Sequence, residues 1–429
     1  MRRIRLLAPL MALFLLTVSV SALDVAEKPI SNGGYTHYAI DSDGLLWAWG
    51  DSFHGGITAD RDLEWEEAVP EVKNARNACV GFVAGLAVDG DGVLWGFGSD
   101  HAGKLMGKDA SQGAVRLMDH VVYAEVWDVS CCALKDDGTL WAWGGGTDAA
   151  TGGPIREPYQ VMDHVRAFCG DYVQLEDGTW VERRYNADGV NFEILPLADN
   201  VVKLRMDYAA DALLLLGENG DLYRAARNDQ GWYGGPELLL EHVVTFYGNT
   251  AVTADGTLWA WSNDRPAILK DGAPDPSDPY ESLSAEELAI PVKITEGVRY
   301  AEASEDCTLA IMADGSLWEL PSAYHVSIQE EYPPEQFPEV QTACRKLLDQ
   351  TAPVQWFEGD PDAPAPVLLA APETAAEAED PAETVPPEGL ETEMPVGTAS
   401  SDREIPNWAA LVSLLPLAAA VVWHLRKKG

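Results

Sequence analysis

Short runs of alternating apolar and polar residues recur along most of this chain, and a turn signal precedes each of them. The clearest copy is the apolar stretch Ala133-Leu134, the turn Asp137-Gly138 and the alternating run Leu140-Trp141-Ala142-Trp143. Alternation with a period of two is typical of a strand with two different faces, and Asp-Gly is typical of a tight turn. The pattern therefore predicts a β-hairpin as the repeating unit of the chain.

Seven copies of this unit share one register, and their turn glycines are 36 to 59 residues apart. These glycines are Gly44, Gly92, Gly138, Gly178, Gly220, Gly256 and Gly315. The tryptophan that follows is kept as Trp47, Trp95, Trp141, Trp259 and Trp318, and we expect these five to pack between sheets. In the degraded fourth and fifth copies the strands read Thr179-Trp180-Val181 and Asp221-Leu222-Tyr223. Such a period predicts a repeat architecture.

The first and last repeats should complete each other. The first copy begins late, at His37, so its missing strand is expected from beyond Leu320, with Val354-Gln355-Trp356-Phe357 as the closing strand. Apolar residues in Pro338–Asp349 predict a helix there. Ser284 followed by Glu287 fits a capping box and predicts a short helix in the long insertion of residues 262–290.

Three histidines look like ligands until the repeats are aligned. His120, His164 and His242 occupy the slot that holds Asn200 and Gly297 in other copies. His, Asn and Gly share a tolerance for left-handed backbone, so the slot is predicted to be a turn and not a metal or catalytic site. Acidic turns such as Asp41-Ser42-Asp43-Gly44 are too short for an EF-hand, and hairpin turns explain them better than calcium sites.

The chain ends predict export and a membrane anchor. Residues 1–22 combine a basic start, an apolar run and a small-residue cleavage site, as in a secretory signal. Residues 23–358 form the repeat body, and residues 359–404 form an acidic stalk rich in Pro, Ala, Glu and Thr that cannot fold alone. Residues 405–429 combine an apolar run with a basic tail, which predicts a single transmembrane helix with a cytoplasmic C-terminus. Cell-wall attachment is the alternative, but Met394-Pro395-Val396-Gly397-Thr398 reverses the last two residues of a sortase motif.

The net charge and the cysteines of the chain limit which ligands it is expected to bind. The formal net charge is -40, and it is -46 between the two ends, which carry bases but no acids. Such a body repels phosphate backbones, so binding of DNA or RNA is disfavoured. An even number of cysteines in an exported chain permits disulfides, but the spacing fits no metal site and favours buried thiols. These six are Cys79, Cys131, Cys132, Cys169, Cys307 and Cys344. No cofactor motif is present.

The repeats resemble the regulator-of-chromosome-condensation (RCC1) family in its bacterial, exported form. The resemblance covers roughly residues 30–320 and rests on the apolar strand, Asp-Gly turn and aliphatic-Trp-x-Trp-Gly strand of Ala133 to Gly144. It implies an all-β fold, a seven-bladed β-propeller. The family's nuclear GTPase exchange does not carry over to an exported acidic body. A secreted propeller-type β-lactamase inhibitor is similar in repeat style, and it implies protein binding through one face.

A non-enzymatic binding scaffold for an extracellular protein or glycan is the function that these features favour, with a monomeric ectodomain. Aromatic or polarizable residues that interrupt the repeats are the candidate contacts, because interfaces favour such side chains. They are Phe53, His54, Trp65, His101, Met106, Trp232, Tyr233 and Tyr280. A glycan-cleaving propeller hydrolase is the rival hypothesis and would require two carboxylates in a cleft. A cell-wall-anchored adhesin is a further alternative.

Overall fold

The computed structural model describes residues 28–33, 36–50, 67–68, 72–81, 84–110, 113–126, 130–145, 153–185, 192–207, 210–228, 231–304, 307–329, 333 and 342–369. The predicted signal segment, residues 370–404 of the predicted stalk and the predicted anchor lie outside them. None of the helices in the described ranges has the length and apolar character needed to cross a bilayer.

Seven antiparallel sheets, here called blades, follow one another along the chain. Blades 1 to 3 contain β1 (Ile30–Asn32), β2 (Thr36–Ile40), β3 (Leu46–Gly50), β4 (Glu67–Ala68), β5 (Ala75–Val80), β6 (Ala84–Asp89), β7 (Leu94–Gly98), β8 (Val115–Met118), β9 (Val121–Val126), β10 (Ser130–Lys135), β11 (Leu140–Gly144) and β12 (Tyr159–Met162). Blades 4 and 5 contain β13 (Val165–Cys169), β14 (Tyr172–Leu175), β15 (Trp180–Tyr185), β16 (Phe192–Asp199), β17 (Val201–Asp207), β18 (Ala212–Gly217), β19 (Leu222–Ala226) and β20 (Glu237–Leu240).

Blades 6 and 7 complete the set, and blade 6 carries a small extra hairpin. Their strands are β21 (Val243–Tyr247), β22 (Thr250–Thr253), β23 (Leu258–Ala260), the hairpin β24 (Leu269–Lys270) and β25 (Ala273–Pro274), β26 (Val292–Thr295), β27 (Val298–Ala303), β28 (Cys307–Met312), β29 (Leu317–Pro321) and β30 (Arg345–Leu348). The helices are α1 (Ala285–Leu288) and α2 (Ala323–Ser327), and a last strand, β31 (Val367–Leu368), joins the edge of blade 4.

The blades form a closed ring. Within the described residues, an apolar core lies between each pair of neighbouring blades. The core that joins the last blade to the first packs Leu309 and Ile311 of β28 against Ile30, Ala39 and Trp49. The predicted seven-bladed β-propeller is therefore confirmed.

The ring closes in a way that the repeats did not predict. The first strand of blade 1 is β1, from the chain's own N-terminal lead-in, and it pairs with β2 from Ile30↔Ala39 to Asn32↔His37. Among the described residues, no segment from beyond Leu320 belongs to this sheet. The expected closing strand is therefore wrong, because three residues before the first repeat already occupy the place.

Residues 350–369, here called the strap, run across the propeller instead of leaving it. Backbone N–H groups of the strap donate to carbonyls of five blades: Thr351 to Gly315, Ala352 to Ile40, Phe357 to Val244, Asp360 to Glu218 and Leu369 to Leu197. Val354, Trp356 and Phe357 pack against three interblade cores but form no strand. Residues 359–369, assigned above to the stalk, thus belong to the folded body.

Two local predictions have opposite outcomes. The capping box is confirmed, since the Ser284 hydroxyl accepts the Glu287 N–H and the Glu287 carboxylate accepts the Ser284 N–H. The helix over Pro338–Asp349 is wrong where the structure describes it, because Arg345–Leu348 forms β30. The free edge of β29 offers this segment a ladder of hydrogen bonds that an isolated helix lacks.

The turn interpretation of the histidine slot is confirmed. His120, His164 and His242 have φ of 62°, 56° and 56°, and Asn200 and Gly297 in the same slot have φ of 60° and 75°. All five lie in the left-handed region.

The tryptophans of the repeat are less buried than expected. Trp47, Trp95, Trp141, Trp259 and Trp318 are only partly buried, because each lies at the start of its strand beside the exposed turn. Two of them donate the indole N–H to the aspartate three residues before the turn glycine, Trp47 to Asp41 at 2.7 Å and Trp95 to Asp89 at 2.8 Å. The tryptophan two positions later fills the core, since Trp49, Trp143 and Trp261 are at most 4% exposed.

The cysteines are free thiols, and five of the six are buried. Cys131 and Cys132 are neighbours in β10 but face different interblade cores, as the alternation of a strand requires. The prediction of buried structural thiols is confirmed for all but the half-buried Cys344.

Antiparallel order sorts the connections onto two faces. The Asp-Gly turns join second to third strands, and the left-handed turns join one blade to the next, so both lie on one face, here called the turn face. The long connections between third and fourth strands lie on the opposite face, here called the loop face. The strap's contacts at Gly315, Gly220 and Glu218 place it on the turn face.

Candidate binding surface

The five predicted contact residues that the structure describes belong to connections between the third and fourth strands, so the topology assigns them to the loop face. Phe53, His54 and Trp65 lie outside the described residues. The other five come from three loops, on blades 2, 5 and 6. The loop of blade 5 is the one that helps to form a groove.

Trp232 and Tyr233 are held by a short hairpin in the blade 5 loop. The Asn228 side chain accepts the Trp232 N–H at 2.9 Å, and the Asn228 N–H donates to the Trp232 carbonyl at 2.7 Å. Tyr233 forms a bridge with Arg227, and its hydroxyl lies 2.8 Å from that of Tyr172 in blade 4. These bonds fix both rings before any partner arrives, which lowers the entropy cost of binding.

Arg184 of blade 4 packs its guanidinium against the indole of Trp232. Its guanidinium carbon lies 4.3 Å from the ring centroid, a cation–π distance, and it donates to the Gly231 carbonyl at 3.3 Å. The same guanidinium pairs with Glu182 at 2.8 Å. The charge of Glu182 is thereby balanced within the protein.

A groove of about 320 Å³ opens between these groups and the end of the strap. It is lined by Glu182, Leu195, Pro196, Leu197, Trp232, Tyr233, Gly234, Gly235, Pro236, Pro366, Val367, Leu368 and Leu369. Aromatic rings, prolines and aliphatic side chains dominate this lining, and Glu182, only 8% exposed, is its charged member. Concave, mostly apolar sites with few polar groups are typical of ligand binding.

Tyr280 contributes to the structure of the blade 6 loop more than to its surface. It is half-buried, its hydroxyl donates to the Asn263 carbonyl at 2.9 Å, and the Arg265 guanidinium lies 5.2 Å from its ring. Arg265 is 1% exposed and donates to the Asp278 carboxylate. Burial alone would raise the pKa of Asp278, but hydrogen bonds from Arg265 and the Ile268 N–H lower it. The insertion is therefore organised around a buried ion pair.

His101 and Met106 lie on blade 2, whereas the groove is formed by blades 4 and 5. His101 is exposed, whereas Met106 packs partly against an interblade core. The Asp100 carboxylate accepts the N–H groups of Leu105 and Gly107 and pairs with Arg156 at 3.1 Å. The structure thus brings Trp232 and Tyr233 together but leaves the other described candidates at separate points of the ring.

The propeller axis holds charged residues that the sequence reading missed. Glu125 of blade 3 and Arg205 of blade 5 come within 3.5 Å of each other although their blades are not neighbours, so the first strands line the axis. Glu302 of blade 7 lies 3.5 Å from the ammonium of Lys28. A signal was present in the sequence, because Tyr-Ala-Glu recurs at the same register position at residues 123–125 and 300–302.

These carboxylates bear on the hydrolase hypothesis. Glu125 and Glu302 are 3% and 0% exposed, and each is already paired with a cation. A catalytic carboxylate must touch its substrate, which these side chains do not allow. No observation in the described part of the chain therefore favours glycan cleavage at the axis.

The acidic turns are occupied by the protein's own donors. The Asp41 carboxylate accepts the N–H groups of Asp43 and Leu45 as well as the Trp47 indole. Within the described ranges, no group of three His, Cys, Asp or Glu side chains is placed to hold a metal ion.

Comparison with known proteins finds likeness only among solved structures. No family model matches the chain, and no curated protein matches it. The chain is similar to Prp20p of Saccharomyces cerevisiae, in a structure reported with its binding to Gsp1p and histones, at 16% identity over 70% of this chain and 82% of that one, with a TM-score of 0.47. It is similar to yeast RCC1 (Prp20) bound to Kap60 at 14% identity, over 79% and 85%, with a TM-score of 0.48. It is similar to human WBSCR16 at 14% identity, over 70% and 77%, with a TM-score of 0.35. At these scores the likeness carries no conclusion about function.

Proposed function

We propose that this chain is a non-enzymatic binding protein that holds an extracellular protein or glycan in the groove between the blade 5 loop and the end of the strap. The groove beside Trp232 and Tyr233 is the observation that carries the proposal. Its two rings are fixed in place, and its opposite wall, Val367, is 50% exposed. A rigid scaffold that presents fixed aromatic side chains next to an apolar wall suits recognition better than catalysis.

The proposal includes the placement of the molecule. The body faces outward as a monomer of the exported RCC1-like type, and residues 405–429 anchor it in the membrane with the basic tail inside. The signal-like residues 1–22 and the apolar run followed by Arg426-Lys427-Lys428 support this topology. Reporter fusions test this topology. A reporter that is active only outside the cytoplasm should stay inactive when it is fused to the C-terminus. An active one would contradict the inward tail.

The binding site is tested with matched aromatic substitutions. The purified chain and its Trp232→Ala variant are incubated with cell-surface proteins and with an array of cell-surface glycans, and the captured ligands are compared. Tyr159→Ala is the control, because Tyr159 is an aromatic residue of blade 3 that is 41% exposed and lies outside the groove.

The expected result is a ligand retained by the wild type and by Tyr159→Ala but weakened at least about tenfold by Trp232→Ala, as for a central aromatic contact. A ligand that binds all three proteins equally would place the binding site elsewhere. Turnover of a captured glycan would revive the hydrolase hypothesis.

A further inference from the structure

The axis of the propeller is lined by two layers of side chains from the first strands. Residues two apart on each strand face the axis together, and charged residues come from blades 1, 3, 5 and 7. The titratable groups that meet there are Lys28, Cys79, Tyr123, Glu125, Cys169, Lys203, Arg205, Tyr247, Tyr300 and Glu302.

The two carboxylates at the axis are fully supplied with donors. Glu302 accepts the Tyr300 hydroxyl at 2.6 Å and the Asn32 N–H at 3.2 Å, and it pairs with Lys28. Glu125 repeats the arrangement, with the Tyr123 hydroxyl at 2.8 Å, the Gly170 N–H at 3.2 Å and Arg205 as its cation. Neither carboxylate needs a further partner.

The cations are not equally supplied with acceptors. Lys28 has three partners for its three N–H groups, namely the Tyr247 hydroxyl at 2.9 Å, the Ser31 hydroxyl at 3.4 Å and Glu302. Lys203 donates to one acceptor among the described residues, the Phe246 carbonyl at 2.7 Å. A lysine ammonium has three donors, so two remain on Lys203.

Arg205 is the second cation with donors to spare. Its guanidinium lies 3.5 Å from Glu125 and 3.8 Å from the Tyr247 ring centroid, and no hydrogen bond to another described group accompanies these contacts. A guanidinium carries five N–H donors. The side chain is 13% exposed although it faces the axis, which indicates solvent-accessible space beside it.

The net charge of the axial cluster, like the spare N–H donors of Lys203 and Arg205, favours a negatively charged partner. Among the described residues, Lys28, Lys203 and Arg205 face two carboxylates, Glu125 and Glu302, so the described cluster has one positive charge in excess. An unbalanced charge inside a protein is costly. Burial, followed by repulsion from Arg205, accordingly lowers the pKa of Lys203 to about 8.

We propose that the axis binds one small monovalent anion between the Arg205 guanidinium and the Lys203 ammonium. The two residues lie on one strand, β17, two positions apart and thus on the same face. One anion accepts the spare N–H donors of both and brings the charge of the cluster to zero. Chloride, bromide and nitrate share this chemistry, and the experiment distinguishes a halide site from an oxyanion site.

The test is thermal unfolding of the purified chain at constant pH and ionic strength, with the anion changed from gluconate, a bulky organic anion, to chloride, bromide or nitrate. We expect the midpoint temperature to rise with the small anions and to saturate, as ligand binding to the folded state requires. A response to halides alone assigns a halide site, and a response to nitrate alone assigns an oxyanion site. Equal midpoints in all four salts would overturn the proposal.

Two variants locate the effect. Lys203→Met removes the excess charge and keeps the Glu125–Arg205 pair, so it should fold, and its midpoint should no longer respond to the anion. Arg205→Met should weaken anion binding roughly tenfold or more if it folds, since hydrogen bonds to charged groups are worth that much. Lys293→Met, at a lysine 49% exposed, is the control and should keep the full response.

Crystals grown with bromide supply a readout independent of stability. An anomalous peak within hydrogen-bonding distance of Arg205 and Lys203 is expected in the wild type and should be absent from Lys203→Met. A full anion response in Lys203→Met, or bromide found only at the surface, would show that the axis is not the site.

Discussion

Removal of Lys28 should reveal how much the axial ion pair stabilises the ring. Lys28 is 4% and Glu302 is 0% exposed, and their charged atoms are 3.5 Å apart. Burial alone would lower the pKa of Lys28, but Glu302, with Tyr247 and Cys79, raises it above its ordinary value, so the lysine stays charged. Lys28→Met therefore leaves the buried Glu302 carboxylate without its nearest cation.

The expected loss in free energy of unfolding follows from the removal of this cation. Breaking a buried ion pair by removing one partner costs about 3–5 kcal/mol. Glu302 keeps its bonds from Tyr300 and Asn32, which places the expected loss toward the lower end of this range. The double variant Lys28→Met/Glu302→Gln removes both charges, so it should be more stable than Lys28→Met alone.

Urea unfolding followed by tryptophan fluorescence measures these free energies. Lys293→Met is the control, because Lys293 and its partner Glu296 are 49% and 70% exposed and such a pair is worth at most about 1 kcal/mol. If Lys28→Met costs no more than this control, or if the double variant loses the full sum of the two single losses, the Lys28–Glu302 pair does not stabilise the ring.

Three further predictions concern other parts of the propeller. Burial, with a contribution from Arg345, lowers the pKa of His37 to about 4. The free energy of unfolding should therefore fall by about 3 kcal/mol as pH drops from 6.5 to 4. This loss should be absent in His37→Gln but retained in the control His120→Gln, since His120 is exposed. Gly359→Ala should cost about 1–3 kcal/mol in urea unfolding, since its Cβ would lie 2.3 Å from a Gly220 backbone atom, whereas Gly235→Ala meets nothing within 4 Å and should be neutral. Native thiol labelling followed by peptide mapping should modify Cys344 first, and equal labelling of the five buried cysteines would contradict their placement in interblade cores.

The repeat pattern predicted the fold because each unit carries its own local information. Asp-Gly turns and alternating strands are specified within about ten residues. The hairpin pattern of one copy is weak evidence, but seven copies in one register make the prediction strong. The left-handed turn slot emerged for the same reason, from the comparison of His120, Asn200 and Gly297. Closure was not predictable in this way, because β1 is only three residues long and has no repeat partner in the sequence.

The predicted helix shows the limit of periodicity in short segments. Leu347 and Leu348 lie next to each other, which fits one face of a helix, but Arg345–Leu348 is too short for its pattern to decide. The unpaired edge of β29 decides instead, since it supplies backbone partners along the ladder from Leu317↔Leu348 to Glu319↔Arg345. Such an edge exists only once the rest of the blade has folded.

The binding surface was predicted in part, and for a physical reason. Trp232 and Tyr233 were found because aromatic residues in a loop stand out against the repeat. The other wall of the groove, residues 366–369, was not found, because its Pro-rich and Ala-rich composition is typical of an unfolded stalk. Composition describes what a segment can do alone, and it misses hydrogen bonds offered by a finished propeller, such as Leu369 N–H to the Leu197 carbonyl.

Departures from the repeat mark the places where something other than a repeat packs. The fifth copy has Asn219 in place of the turn aspartate, and its turn glycine, Gly220, lies against the backbone of Gly359 in the strap. A larger residue at either glycine would push the strap away, and with it Pro366, which packs against Gly217. Because Pro366 and the residues after it form one wall of the groove, the packing of Gly359 against the turn of the fifth copy also positions the binding surface.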